Sequence, residues 1–173
     1  MLRSLGVLLL VAFASLSRPA IAQTWKEFKP QGIGYSIEMP GEWTVTSQDV
    51  ATAGGTLKAY LATVNMGARS YVTVYVRYPD ETLRGTPVKT MLDGVRDGIV
   101  GSVKGKLRSE ENIVVSNLPA RQIIVDVPQD LVLVNRFFLM ESTLVQALVT
   151  GPSNVENEAN TKRFLDSLKV VPR

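Results

Sequence analysis

"TPVKTMLDGVRDGIVGSVKG", residues 86–105, decides the fold class. Taken as turns, Asp93-Gly94 and Asp97-Gly98 are two hairpin signals inside an all-β chain. Taken as a helix, Val88, Met91, Leu92, Val95, Ile99 and Val103 recur on one face. The residues flanking the Asp-Gly pairs do not alternate, so the helical reading is the better one. Thr86 suits an N-cap and Pro87 the first helical position, which predicts a helix over 87–104. Gly94, Gly98, Gly101 and Gly105 then fall within about 60° of one another, along one edge of the apolar stripe. Four glycines cost such a helix roughly 3–4 kcal/mol relative to alanine. Close approach of the helix backbone to bulky sheet side chains is the simplest offset. The rival is a helix kept marginal so that it moves or meets a partner.

Outward from this helix the period is two. "YSIEM" alternates Tyr35, Ile37 and Met39 against Ser36 and Glu38, a half-buried strand. "PGEW" turns the chain so that Thr44–Gln48 pairs back. Strands follow over Thr56–Val64 and Ser70–Tyr78, then, beyond the helix, over Leu107–Val115, Ala120–Val127, Leu131–Met140 and Leu144–Thr150. The breaks "SNLP", "PQD" and "EST" are short enough for antiparallel neighbours. Ser153 and Glu156 form a capping-box pattern that opens a second helix over 154–168, burying Phe164, Leu165 and Leu168. The expectation is α+β: a single antiparallel sheet flanked by helices.

The first 22 residues read as a signal peptide. Arg3 precedes the apolar run Leu5–Leu16, and Ala20-Ile21-Ala22 is a small-x-small cleavage site. The run is too short for a transmembrane helix. Residues 23–173 then form one domain, exported to the periplasm or beyond, with no stable membrane anchor. The whole chain has 19 basic residues; without Arg3 and Arg18, 17 oppose 16 acidic ones, a net charge of +1. Nothing there suggests nucleic acid, which needs a concentrated basic face. The chain has no cysteine, so its stability rests on its core.

Much chemistry is missing. With no histidine and no cysteine, Ser-His-Asp and Cys-His arrangements are impossible, and zinc and copper lose their usual ligands. Gly-x-Ser-x-Gly, Ser-x-x-Lys and P-loop patterns are absent. "QGIGYS" precedes a strand and is a turn, not a dinucleotide fingerprint. Asp80-Glu81 and Glu110-Glu111 lack calcium-loop spacing and read as solvated charge. No cofactor is expected.

"GYSIEMPGEW" at residues 34–43 and "TKRFLDSLKV" at 161–170 resemble the Mog1p/PsbP-like fold group. Members similarly open on an aromatic-rich strand with a Pro-Gly-x-Trp turn. They close on a helix and a final apolar strand, here through Phe164, Leu165, Ser167, Leu168 and Val170. The resemblance implies an α/β/α sandwich around an antiparallel sheet. The group includes extrinsic photosystem subunits, a Ran-binding protein and bacterial envelope proteins or secretion-linked chaperones. Binding to a protein without catalysis is their common theme, although a fold transfers no specific function. Any histidine-dependent metal site of the photosystem members is not carried over here.

The functional expectation is an exported, non-catalytic module that binds a protein partner of the cell envelope. A carrier of an apolar ligand is the alternative, and a carboxylate-based enzyme a more distant one. Tyr71, Tyr75 and Arg77 on one side of the Ser70–Tyr78 strand are the expected contact residues, opposite Val72, Val74 and Val76. Tyrosine and arginine are enriched on binding surfaces. Burial of these residues beneath the 87–104 helix would instead make them core.

Overall fold

The computed structural model describes residues 24–52 and 55–173; the expected signal peptide lies outside them. The first half comprises β1 (Lys26–Phe28), β2 (Tyr35–Met39), β3 (Thr44–Thr52), β4 (Gly55–Met66), β5 (Arg69–Arg77), α1 (Asp80–Leu83) and α2 (Val88–Ser102). The second comprises β6 (Lys106–Val115), β7 (Leu118–Val127), β8 (Leu131–Met140), β9 (Thr143–Pro152), a 3-10 turn (Val155–Asn157), α3 (Ala159–Asp166) and β10 (Lys169–Val170).

The strands form two antiparallel sheets where one was expected. Seven make the main sheet, in the order β3-β4-β5-β9-β8-β7-β6. The small sheet, β1-β2-β10, shares no strand pairing with it. Thr44–Gln48 does not pair back on β2: β3 pairs with β4 in unbroken register, from Thr44 opposite Thr63 to Thr52 opposite Gly55. β2 is buried almost throughout, including Ser36. It sits between two short strands and inside the core, which an alternating pattern alone does not reveal.

The main sheet carries different layers on its two faces. Leu92 of α2 packs with Ile123, Val125, Leu133, Phe137 and Leu144. The opposite face holds Tyr71, Val134, Phe138, Val145 and Val149 against β2 and Phe164, Leu165 and Leu168 at the C-terminal end. Adjacent residues of β9, Leu144 and Val145, therefore serve different cores, as strand alternation requires. An ionic clasp also fastens α2 to the sheet. Arg121 of β7, 3% exposed, meets Asp93 of α2 and Glu110 of β6 (2.8 Å for the latter), and Arg96 of α2 adds contacts to both carboxylates. The other helix is tied to β2 and β8. Ser167 Oγ accepts from the Glu38 backbone N–H at 2.9 Å, and Arg136 donates to the Leu165 carbonyl at 2.8 Å.

Several local expectations need correction. α2 starts at Val88 with Pro87 as its N-cap, and Thr86 makes no side-chain cap. The Ser153–Glu156 capping box does not form. Asn154 takes a left-handed conformation (φ 77°), the chain makes one 3-10 turn, and α3 begins only at Ala159. The glycine edge of α2 is not packed against the sheet as expected. A Cβ at Gly94, Gly98 or Gly101 would meet nothing within 4 Å, so this edge of α2 faces open space. Gly105 lies beyond the helix, where a Cβ would fall 2.5 Å from Val125 Cγ1 and 2.7 Å from the Asp126 carbonyl oxygen. Close approach explains that glycine alone.

Candidate functional site

β5 is the central strand on which the expected contact residues sit. Tyr71, Thr73, Tyr75 and Arg77 point to the face under the small sheet and α3, and Val72, Val74 and Val76 point to the α2 face. Their environments differ along the strand. Tyr71 is 1% exposed and meets the Phe164 ring edge-on, 5.4 Å between centroids. It is core, covered by α3 and not by α2, and is removed from the expected contact set. Thr73 is also buried; its hydroxyl donates to the Gln146 carbonyl at 3.0 Å and accepts from the Tyr35 hydroxyl at 3.1 Å.

Cover ends at Tyr75. This half-buried residue touches Tyr35 edge-on at 6.3 Å on its inner side and stacks on Tyr60 of β4 at 5.0 Å and 13°. Tyr60 is 39% exposed. Burial, then the neighbouring Tyr60 hydroxyl, pushes the Tyr75 phenol above its ordinary range, while the Arg77 charge opposes the rise. Arg77 is exposed, two residues further along the same face. Among the described residues Arg77 and Arg84 are the arginines that form no ion pair.

Arg77 also lines a cleft of about 370 Å³ with Tyr78, Asp80, Glu141, Ser142, Thr143 and Arg173. The Tyr78 backbone N–H donates to the Ser142 carbonyl at 2.7 Å, which ties the end of β5 to the β8–β9 turn beside the cleft. Arg173 is occupied, donating to Glu141 at 2.8 Å and to the Ile33 carbonyl at 3.3 Å. The stacked tyrosine pair is an amphipathic ledge, and at its end Arg77 supplies planar donors that form no ion pair among the described residues.

Sequence reading missed Tyr60 and Arg173. Tyr60 was within reach: pairing the β4 and β5 strands across the Asn65–Gly67 turn places it opposite Tyr75. No local signal brings Arg173 to Glu141. Of the acidic pairs, Glu110 belongs to the α2 clasp, and Asp80 and Glu81 open the short α1. Among the described residues no group of three or more His, Cys, Asp or Glu side chains stands where it could hold a metal ion. No helix among them is long and apolar enough to cross a membrane.

No family model and no curated protein matches the sequence. Solved structures do. A cyanobacterial PsbP, CyanoP from Synechocystis sp. PCC 6803, superposes with a TM-score of 0.59 at 10% identity, over 88% of this chain and 96% of that one. The Pseudomonas aeruginosa protein of unknown function PA94 is matched with a TM-score of 0.44 at 14% identity, over 86% of this chain and 97% of that one. The α+β architecture, with its antiparallel sheets and flanking helices, is that of the first of these, and the chain has the PsbP-like fold.

Proposed function

We propose that the chain is an exported accessory module of the cell envelope that binds a protein partner, without catalysis, through Tyr60, Tyr75 and Arg77. The observation that carries this reading is the stacked Tyr60–Tyr75 pair ending at an arginine with no carboxylate partner among the described residues. Rigid aromatic residues cost little entropy to immobilise, and an unpaired guanidinium gains a bidentate bond when a carboxylate arrives. The partner's matching element is an acidic residue flanked by an apolar or aromatic one. Export is supported by the n-region, apolar run and Ala20-Ile21-Ala22 site of the first 22 residues. An apolar-ligand carrier is less well supported, because Tyr35, Tyr71, Phe138 and Phe164 fill the space between the layers.

The test is affinity capture from an envelope extract with the wild-type chain and with Arg77→Glu, reading co-purifying proteins and lipids by mass spectrometry. A protein captured by the wild type and lost with Arg77→Glu, at unchanged thermal stability, is the expected result. Equal capture by both chains removes Arg77 from the site, and enrichment of lipid alone favours the carrier.

A further inference from the structure

The two edges of the main sheet are built differently. At one edge β6, "KLRSEENIVV", carries Lys106, Arg108, Glu110 and Glu111 and breaks register with β7 between Leu107 and Ser109. Charges and a bulge are how natural sheets prevent unwanted pairing. At the other edge β3, "TVTSQDVAT", is nine residues long, with no proline, no lysine and no break in register. Its one charged residue, Asp49, is paired with Lys58 of β4 at 3.3 Å. Thr44–Asp49 is exposed on both sides of the sheet, so nothing among the described residues overhangs this stretch. Val45 is 59% exposed. β3 therefore offers a long row of backbone donors and acceptors without the usual protection.

The sequence of this strand also complements itself. Laid antiparallel on a second copy about a two-fold axis at Gln48, Thr44 faces Thr52, Val45 faces Ala51, Thr46 faces Val50 and Ser47 faces Asp49. Each carboxylate meets a hydroxyl, β-branched residues meet β-branched or small ones, and no like charges oppose. Opposite residues have the same parity, so both copies present α2 to one side of the joined sheet and the small sheet to the other. Moving the axis to Asp49 would set two carboxylates against each other, which disfavours that register.

We propose that β3 pairs antiparallel with β3 of a second copy of this chain, centred on Gln48, joining two main sheets into one. The contact is isologous and closes at two copies. It lies away from α2 and is independent of the partner reading above.

The chain has no cysteine, which makes a cross-linking test clean. Under mild oxidation Gln48→Cys is expected to give a disulfide-linked dimer, and Glu111→Cys, on the protected edge, to stay monomeric. In sedimentation equilibrium the wild type is expected to dimerise with rising concentration. Gln48→Lys and Gln48→Glu should each be monomeric where the wild type is dimeric, and their equimolar mixture should restore the dimer. Thermal melts of each variant establish that it is folded. A wild type monomeric up to about 0.5 mM, weaker than ordinary specific association, overturns the proposal. So does a dimer indifferent to Gln48→Lys, or an edge that takes up only an extended peptide of another protein.

Discussion

Gly98 and Gly105 respond to an added methyl group in opposite senses. At Gly98 the methyl would stand in open space on a regular helix, so Gly98→Ala should stabilise by about 0.5–1 kcal/mol through helix propensity and a less flexible unfolded chain. In a domain of this size that raises Tm by roughly 2–4 °C per kcal/mol. Gly105→Ala should cost about 1–3 kcal/mol, because one of the atoms in the way is a backbone oxygen that has no rotamer to change. Thermal or urea melts of both variants check the pair, and a destabilised Gly98→Ala would show that the outer edge of α2 is covered. Tyr71 and Tyr75 diverge in the same way. They share a face of β5, yet Tyr71→Ala should cost about 3–5 kcal/mol as a large-to-small core substitution against Phe164. The alternation of β5 placed both tyrosines on one face correctly. It could not say that α3 covers Tyr71 and stops short of Tyr75, because a distant segment decides that. The wheel of α2 likewise set its glycines to one side of the apolar stripe without deciding whether anything lies there.

α2 is held by few fully buried side chains, with Leu92 buried and Val95, Ile99 and Val103 partly so. The clasp of Asp93, Arg96, Glu110 and Arg121 therefore matters to this element more than a surface ion pair would. Arg121, then Lys89, holds the Asp93 carboxyl at about 2, below its ordinary 3.8. A carboxyl with a lower pKa in the folded state contributes stability that is present above about pH 4 and lost as the pH falls toward 2. Thermal melts between pH 5 and pH 2 should therefore show the wild type losing stability in that window, and Asp93→Asn should show a shallower loss. Parallel curves for the two chains would remove Asp93 as the acid-sensitive group. Arg121 retains one anion when either partner is neutralised but neither when both are. The double variant Asp93→Asn/Glu110→Gln should thus lower Tm by more than the two single variants together, and an additive result would contradict the clasp. The period of 3.6 announced α2, and its C-terminal glycine marked the exit. The clasp was not readable, because its four charges come from three separate elements.

At the scale of the molecule, long strands and α2 were legible because each satisfies a periodicity over many residues. The second sheet was not. β1 and β10 have three and two residues, too few for any pattern, and β2 is an alternating strand whose polar residues are also covered. The layered result leaves an aromatic–arginine surface at one end of the central strand, beside a cleft whose second arginine is already bound. We propose that the partner lands on that surface. Hydrogen exchange read by mass spectrometry on the captured complex, against the free chain at the same concentration, tests it most directly. Slowed exchange is expected in peptides covering Tyr60, Tyr75–Asp80 and Glu141–Thr143, with α2 unchanged. Protection confined to α2, or to strands remote from Tyr60 and Arg77, would contradict it.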